Sequence, residues 1–340
     1  MVVNWWFLIY ETPQTLENKG DINNYETWYR NLKLIKSVML GHAVADALGV
    51  PVEFCSREEL DKNPVIDMRG FGTYPYPAGT WSDDTSMSLC TLEALTHADW
   101  DFSIVMDNFV KWINEGEFTP TGECFDVGIT SSMAIKRYCA GVSAEECGLD
   151  GEFDNGNGSL MRIHPIVLYA YFMGLRDSDW LSLVESASAL THAHARSRLA
   201  CVIYGIVLNF IISSPTKESV RQGIRFAHEK LGYMNEWEHY SRLENTDFEH
   251  LSRDEIKSSG YVVHTLEAAL WCLLSTNSYR ECVLKAVNLG GDTDTVAAIA
   301  GGLAGALYAY DAIPKEWLDT LAKREEIELL CKRVLNVIIV

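Results

Sequence analysis

The chain lacks the marks of several protein classes. Its nine cysteines are scattered singly from Cys55 to Cys331, with no Cys-X-X-Cys and no Cys/His ligand spacing. That pattern excludes a disulfide framework and a zinc site, and reads as reduced, mostly buried thiols. Basic residues are scarce: 28 Lys and Arg stand against 47 Asp and Glu, a net charge of −19. Such a surface repels nucleic acid and anionic membrane, so neither is expected as a general partner. Any phosphate-bearing ligand would then need local positive charge from metal ions, oriented N–H groups or a few placed arginines. Long hydrophobic runs are missing as well. The apolar N-terminus MVVNWWFLIYE has no Lys or Arg before it, unlike a signal peptide, and is too short to span a bilayer. The stretch from Val296 to Tyr310 is also too short and is mostly Ala and Gly. A soluble, cytoplasmic protein is expected.

Strict apolar–polar alternation is rare, and the Asn155-Gly156 and Asn157-Gly158 turns adjoin helical patterns, not paired strands. The dominant period is helical. Leu32, Ile35, Val38, Met39 and Leu48 fall near one stripe, and Leu266, Ala269, Leu270, Leu273 and Leu274 near another. With 48% apolar residues and no long polar linker, the expectation is a compact, single-domain, all-α fold of about a dozen helices. Residues 31–340 form that domain. Residues 1–30 are expected as an N-terminal extension, with Trp5, Trp6, Phe7 and Tyr10 ahead of a polar stretch. The charged stretch from Tyr233 to Ser259 is expected as a surface insertion.

Two short clusters have unusual chemistry. Gly79-Thr80-Trp81-Ser82-Asp83-Asp84-Thr85 and Gly290-Gly291-Asp292-Thr293-Asp294-Thr295 each set two carboxylates and hydroxyls at the start of a helical pattern. N-capping would account for one such cluster, since Ser, Asp and Thr satisfy the free N–H groups of a helix start. One cap needs one side chain, however, and each cluster offers three or four oxygen donors. Converging hard oxygens suit Mg²⁺ or Mn²⁺, and four carboxylates suit a pair of ions. This reading requires the clusters to meet in space.

Asp154 to Arg162 (DNGNGSLMR) forms a glycine-rich turn ahead of another helical pattern. Such a turn can present unhindered N–H groups to a phosphate, though most are simply turns. Thr191-His192-Ala193-His194 lies between two helical patterns; taken alone it is a hydrogen-bonded or capping histidine pair.

In order along the chain, GHAVADALGVPVEF, GTWSDDTSM, CFDVG, GNGSLMR, THAH and GGDTDT resemble the ADP-ribosylglycohydrolase family, which includes dinitrogenase-reductase-activating glycohydrolase and ADP-ribosyl-protein hydrolases. The resemblance covers Leu32 to Trp317. It implies an all-α hydrolase with two Mg²⁺ or Mn²⁺ ions at the base of a cleft. By motif position the ligands would be Ser82, Asp83, Asp84, Asp292, Asp294 and Thr295. Glu53 would sit on a loop over the metals. Asp126, Gly128, Gly156, Asn157, Gly158 and Ser159 would line the diphosphate and ribose pocket, with His192 nearby. One departure is Ala45, where the family usually has Gly; its methyl bears on close helix packing.

The resemblance implies cleavage of the glycosidic bond between ADP-ribose and a modified protein side chain. Asp83, Asp84 or Glu53 would handle protons, and sequence does not rank them. The expected partner is an ADP-ribosylated protein, with an ADP-ribosyltransferase as a second. The alternative is an immunity or inhibitor protein that binds such a transferase through the N-terminal extension.

Overall fold

The computed structural model describes residues 23–338. Among them are fourteen α-helices joined by short 3₁₀ turns, with no sheet. The first half holds α1 (Asn23–Gly49), α2 (Arg57–Lys62), α3 (Asp83–Ala94), α4 (Phe102–Glu115), α5 (Ile129–Cys139), α6 (His164–Phe172) and α7 (Asp177–Ala189). The second holds α8 (Ala195–Ser213), α9 (Lys217–Leu231), α10 (Val262–Leu274), α11 (Tyr279–Val287), α12 (Thr293–Tyr308), α13 (Lys315–Thr320) and α14 (Arg324–Ile338). The expected all-α class holds. Local chemistry sets many of the boundaries. Asp101 caps α4 through the Ser103 and Ile104 N–H groups, and Gly116 ends that helix at φ 68°. Thr216 and Ser278 cap α9 and α11 in the same way.

α12 is the central helix, buried over nearly its whole length and packed chiefly on α1, with α8, α10 and α11 around it. Its small residues allow this. A Cβ on Gly301 would lie 2.4 Å from the Ala45 methyl and 2.4 Å from the Gly41 carbonyl, and one on Gly305 1.9 Å from the Ser37 carbonyl. Glycine on α12 therefore makes the room that Ala45 occupies on α1, and the close helix packing survives the departure at that position. α1 and α8 are each long and apolar enough to cross a membrane, but most of each is buried inside the fold, as core helices are.

Two expectations need adjusting. α1 begins at Asn23, so the last residues of the expected N-terminal extension are helix. Trp28 there donates to Asn336 of α14 at 3.1 Å. Residues 1–22, with the aromatic run, lie outside the described residues. The Tyr233–Ser259 stretch is not a surface insertion, because its 3₁₀ turns bury Trp237, Tyr240, Leu243 and Phe248, and Ile256 after the last turn is buried too. Tyr240 also donates to the Arg196 carbonyl at 2.8 Å. Its charged residues hid a period too irregular to read as core.

Candidate metal centre and cleft

The two carboxylate clusters meet. α12 starts where α1 ends: a Cβ on Gly49 would lie 2.3 Å from the Asp294 Cα, and the Thr293 hydroxyl donates to the Gly49 carbonyl at 2.8 Å. The turn before α12 needs φ of 75° at both Gly290 and Gly291, the left-handed region that favours glycine. Gly291 and the Glu53 loop exchange backbone hydrogen bonds, Phe54 N–H to the Gly291 carbonyl at 2.7 Å and Gly291 N–H to the Cys55 carbonyl at 2.8 Å. Arg57 ties the same region together by donating to the Leu289, Arg253 and Ile256 carbonyls. The Glu53 loop is therefore built against the turn that carries Asp292 and Asp294.

Capping does not account for these side chains. Ser82 alone caps α3, accepting from the Asp84 N–H, while Asp83 and Asp84 in its first turn are buried. At α12, Asp292 occupies the cap position without a side-chain capping bond. Its carboxylate instead accepts from the Asn157 amide at 2.7 Å.

Oxygens of Asp46, Asp84 and Asp294 lie within 4.8 Å of one another, and so do those of Glu53, Asp126 and Asp294. Asp294 belongs to both groups. The hydroxyls of Ser82 and Thr295 each lie 3.1 Å from Asp84 Oδ2. Asp84 Oδ1, Asp294 Oδ2 and Glu53 Oε2 are buried without a hydrogen-bond partner. Buried carboxylate oxygens are costly to leave unmatched, so these atoms and their hard-oxygen neighbours fit divalent cations well.

The electrostatics agree. Burial, then repulsion from Asp126, Asp84 and other carboxylates, holds Asp83 well above the usual range. Burial and then Asp46 and Asp292 do the same to Asp84; burial and then Glu53 and Asp84 do so to Asp294. Burial and then Asp126 push Glu53 up to about 9. Tyr74, close to both Glu53 and Asp126, opposes their rise. A divalent ion among these groups inverts the balance by favouring their charged forms.

Above this floor opens a cleft of about 210 Å³. Of the residues expected around ADP-ribose, Asp126, Gly128, Gly156, Asn157, Gly158 and His192 all line it, beside Glu53, Asp83, Asp292 and Thr295. The exception is Ser159. It is fully buried, and its hydroxyl accepts from Ser188 at 2.9 Å, so that side chain faces the core instead of the cleft. The glycine-rich turn leads through one 3₁₀ turn, Leu160–Arg162, into α6, the helical pattern expected after it. It is pinned by an isolated bridge to Tyr261, in which Asn157 N–H donates to the Gly260 carbonyl at 3.1 Å. That N–H is therefore not free for a phosphate.

Sequence reasoning missed Asp46. Fully buried on α1, it accepts from the Ser82 N–H and hydroxyl, both at 2.9 Å, and from Thr85. A lone carboxylate inside the apolar stretch HAVADALG was the available signal. Tyr74 was missed too, and it has no local signature.

Comparison with known proteins agrees with this geometry. The profile of the ADP-ribosylglycohydrolase family matches residues 29–339. The chain is 34% identical over 309 residues to the ADP-ribosylarginine hydrolase Tri1 of Serratia proteamaculans, covering 89% of this chain and 79% of that protein. It is 31% identical over 294 residues to the ADP-ribosyl-[dinitrogen reductase] glycohydrolase of Rhodospirillum rubrum, covering 85% and 90%. A solved structure described as an ADP-ribosylglycohydrolase-related protein complex superposes with a TM-score of 0.76 at 32% identity, over 91% of this chain and 99% of that one. With its carboxylate floor and glycine-lined cleft, the chain belongs to the ADP-ribosylglycohydrolase family of glycosyl hydrolases.

Proposed function

We propose that this protein is a divalent-metal-dependent hydrolase that releases ADP-ribose from a modified protein side chain, with arginine as the acceptor. One observation carries the metal requirement: two groups of three carboxylates share Asp294 beneath a single cleft. The acceptor rests on the name of the Serratia relative, an ADP-ribosylarginine hydrolase, at 34% identity.

Ser82, Asp83, Asp84, Asp292, Asp294 and Thr295 would hold two Mg²⁺ or Mn²⁺ ions, with Glu53 above them. Bound there, the ions would supply Lewis acidity toward sugar hydroxyls and water. The protein's own groups do the rest. Asn157 and the glycines around it line one wall with little steric bulk. Burial of the floor keeps bulk water from the carboxylates and strengthens each charge interaction there. Glycosidic cleavage develops positive charge at the anomeric carbon, which the surrounding carboxylates favour. Among them Glu53 is placed to exchange a proton with the leaving group or water. It lines the cleft, sits on a loop, and its Oε2 has no hydrogen-bond partner in the protein. All nine cysteines are free and six are buried, which suits a reducing, cytoplasmic site of action.

The test is to incubate the full chain with ADP-ribosyl-arginine and ADP-ribosyl-serine peptides, with Mg²⁺, with Mn²⁺ and with EDTA, and to quantify free ADP-ribose. Release from the arginine peptide, lost in EDTA, is expected. Release that persists in EDTA would remove the metal requirement, and release from serine alone would replace the acceptor.

A further inference from the structure

Behind the cleft wall lies a polar chain that the metal centre does not use. Arg162 is fully buried, and its guanidinium forms no ion pair among the described residues. It lies over the Phe109 ring, 5.1 Å from the centroid, and donates to the Ala187 carbonyl at 3.1 Å and to the Thr191 hydroxyl oxygen at 2.7 Å. That oxygen is in turn 2.8 Å from His192 Nδ1. Thr191 is itself fully buried. The far edge of the imidazole faces the glycine-rich turn: a Cβ on Gly158 would lie 2.8 Å from Cε1, and one on Gly156 3.4 Å from Nε2.

Donor and acceptor inventory then fixes the proton. A guanidinium can only donate, so the Thr191 oxygen accepts from Arg162. The hydroxyl keeps one hydrogen of its own, and its remaining hydrogen-bonding neighbour is Nδ1. Were Nδ1 protonated, that buried hydroxyl hydrogen would have no acceptor, a costly arrangement. Nδ1 must therefore accept, and the ring proton sits on Nε2, the nitrogen on the cleft side.

We infer that Arg162 and Thr191 are positioning residues that lock His192 as a neutral Nε2–H donor, which serves an oxygen of the bound ligand and takes no part in acid–base chemistry. The ligand oxygen rests on the ADP-ribose reading above; the tautomer does not. Burial, with the nearby Arg162 charge, pushes the imidazole down to about 3, in keeping with a ring that stays neutral. The two glycines have a matching purpose, since a side chain at Gly158 would collide with the ring.

Nitrogen NMR of the full chain labelled with ¹⁵N-histidine reads the tautomer directly. The His192 ring is expected as Nε2–H with a bare Nδ1 at neutral pH; an Nδ1–H ring or an imidazolium would overturn the assignment. Thr191→Val should release the tautomer lock and raise KM for ADP-ribosyl-arginine roughly tenfold with kcat held. Thr191→Ser should restore both. His192→Gln, which keeps an N–H near the Nε2 position, should lose far less kcat/KM than His192→Ala, whereas an equal collapse of kcat in both variants would show proton transfer by His192 and sink the proposal. If Thr191→Val does not fold, the wild-type tautomer and the glutamine variant still decide. Calorimetry with ADP-ribose separates the two readings: an Nε2–H ring in a protein that binds no ADP-ribose would end the functional reading and leave the tautomer assignment standing.

Discussion

Asp46 Oδ2 on α1 accepts two hydrogen bonds from Thr85 on α3, the backbone N–H at 3.0 Å and the hydroxyl at 2.6 Å. With Oδ1 taking Ser82, one carboxylate from a separate helix grips the start of α3 and so fixes Asp83 and Asp84. Burial pushes this group up to about 6, opposed by those hydrogen bonds. Asp46→Asn keeps the volume but turns an N–H toward groups that already donate. Mg²⁺ affinity, measured by calorimetry, is expected to fall about 10- to 100-fold, the usual effect of disturbing groups that orient metal ligands.

Asp294 joins both carboxylate groups. Asp294→Asn should therefore cost at least about 100-fold in metal-dependent turnover. The same change removes a charge held among Glu53, Asp84 and Asp292. The melting temperature in EDTA is accordingly expected to stay level or rise. A sharp drop in EDTA would show that Asp294 has mainly a structural role.

Glu53 makes stability depend on pH in a defined direction. Its folded-state pKa lies at about 9 against 4.5 for the free side chain. The folded protein thus binds a proton more tightly than the unfolded chain, and its advantage is full below about pH 4.5 and lost as pH rises toward about 9. Melting in EDTA should fall across that window. Added Mg²⁺ should offset the fall more at high pH, because it favours the ionised carboxylates. Glu53→Gln should flatten the EDTA profile, and an unchanged slope in differential scanning calorimetry would contradict the assignment.

The two glycines beside His192 differ in the space they leave. A methyl at Gly158 meets Cε1 at 2.8 Å and the Ser131 hydroxyl at 3.0 Å, whereas one at Gly156 meets Nε2 at 3.4 Å. Gly158→Ala is expected to raise KM by about tenfold or more, through a displaced ring, with Gly156→Ala clearly milder. Equal effects in steady-state kinetics would argue against the ring as the obstacle.

Much of this architecture can be read from residue order. Helical stripes such as Leu266–Leu274 became α10, and the SDDT and GGDTDT clusters became the starts of α3 and α12. Two kinds of information were not local. Convergence of the clusters depends on Gly49 letting α12 abut the end of α1, a contact between residues more than two hundred positions apart. Asp46 and Tyr74 matter through partners elsewhere in the chain; a lone carboxylate in an apolar stretch marks Asp46 as unusual without saying what it holds, and nothing beside Tyr74 marks it at all. Ser159 failed for the opposite reason: its motif placed it well, but the 3₁₀ turn directs its hydroxyl at Ser188. The Tyr233–Ser259 stretch misled because its buried aromatics are spaced on 3₁₀ turns among many charges.

The near-contact of α1 and α12 through Gly41, Ala45, Gly301 and Gly305 has a consequence for how this molecule can fail. These helices form the heart of the core, and they also carry Asp46 and Asp294. The carboxylate floor and the hydrophobic centre thus share two helices, so the site is part of the core and does not merely rest on it. Their amides should be among the last to exchange with deuterated solvent. Damage to the packing between these two helices is therefore expected to disturb Asp46 and Asp294 together, however far from the cleft it begins.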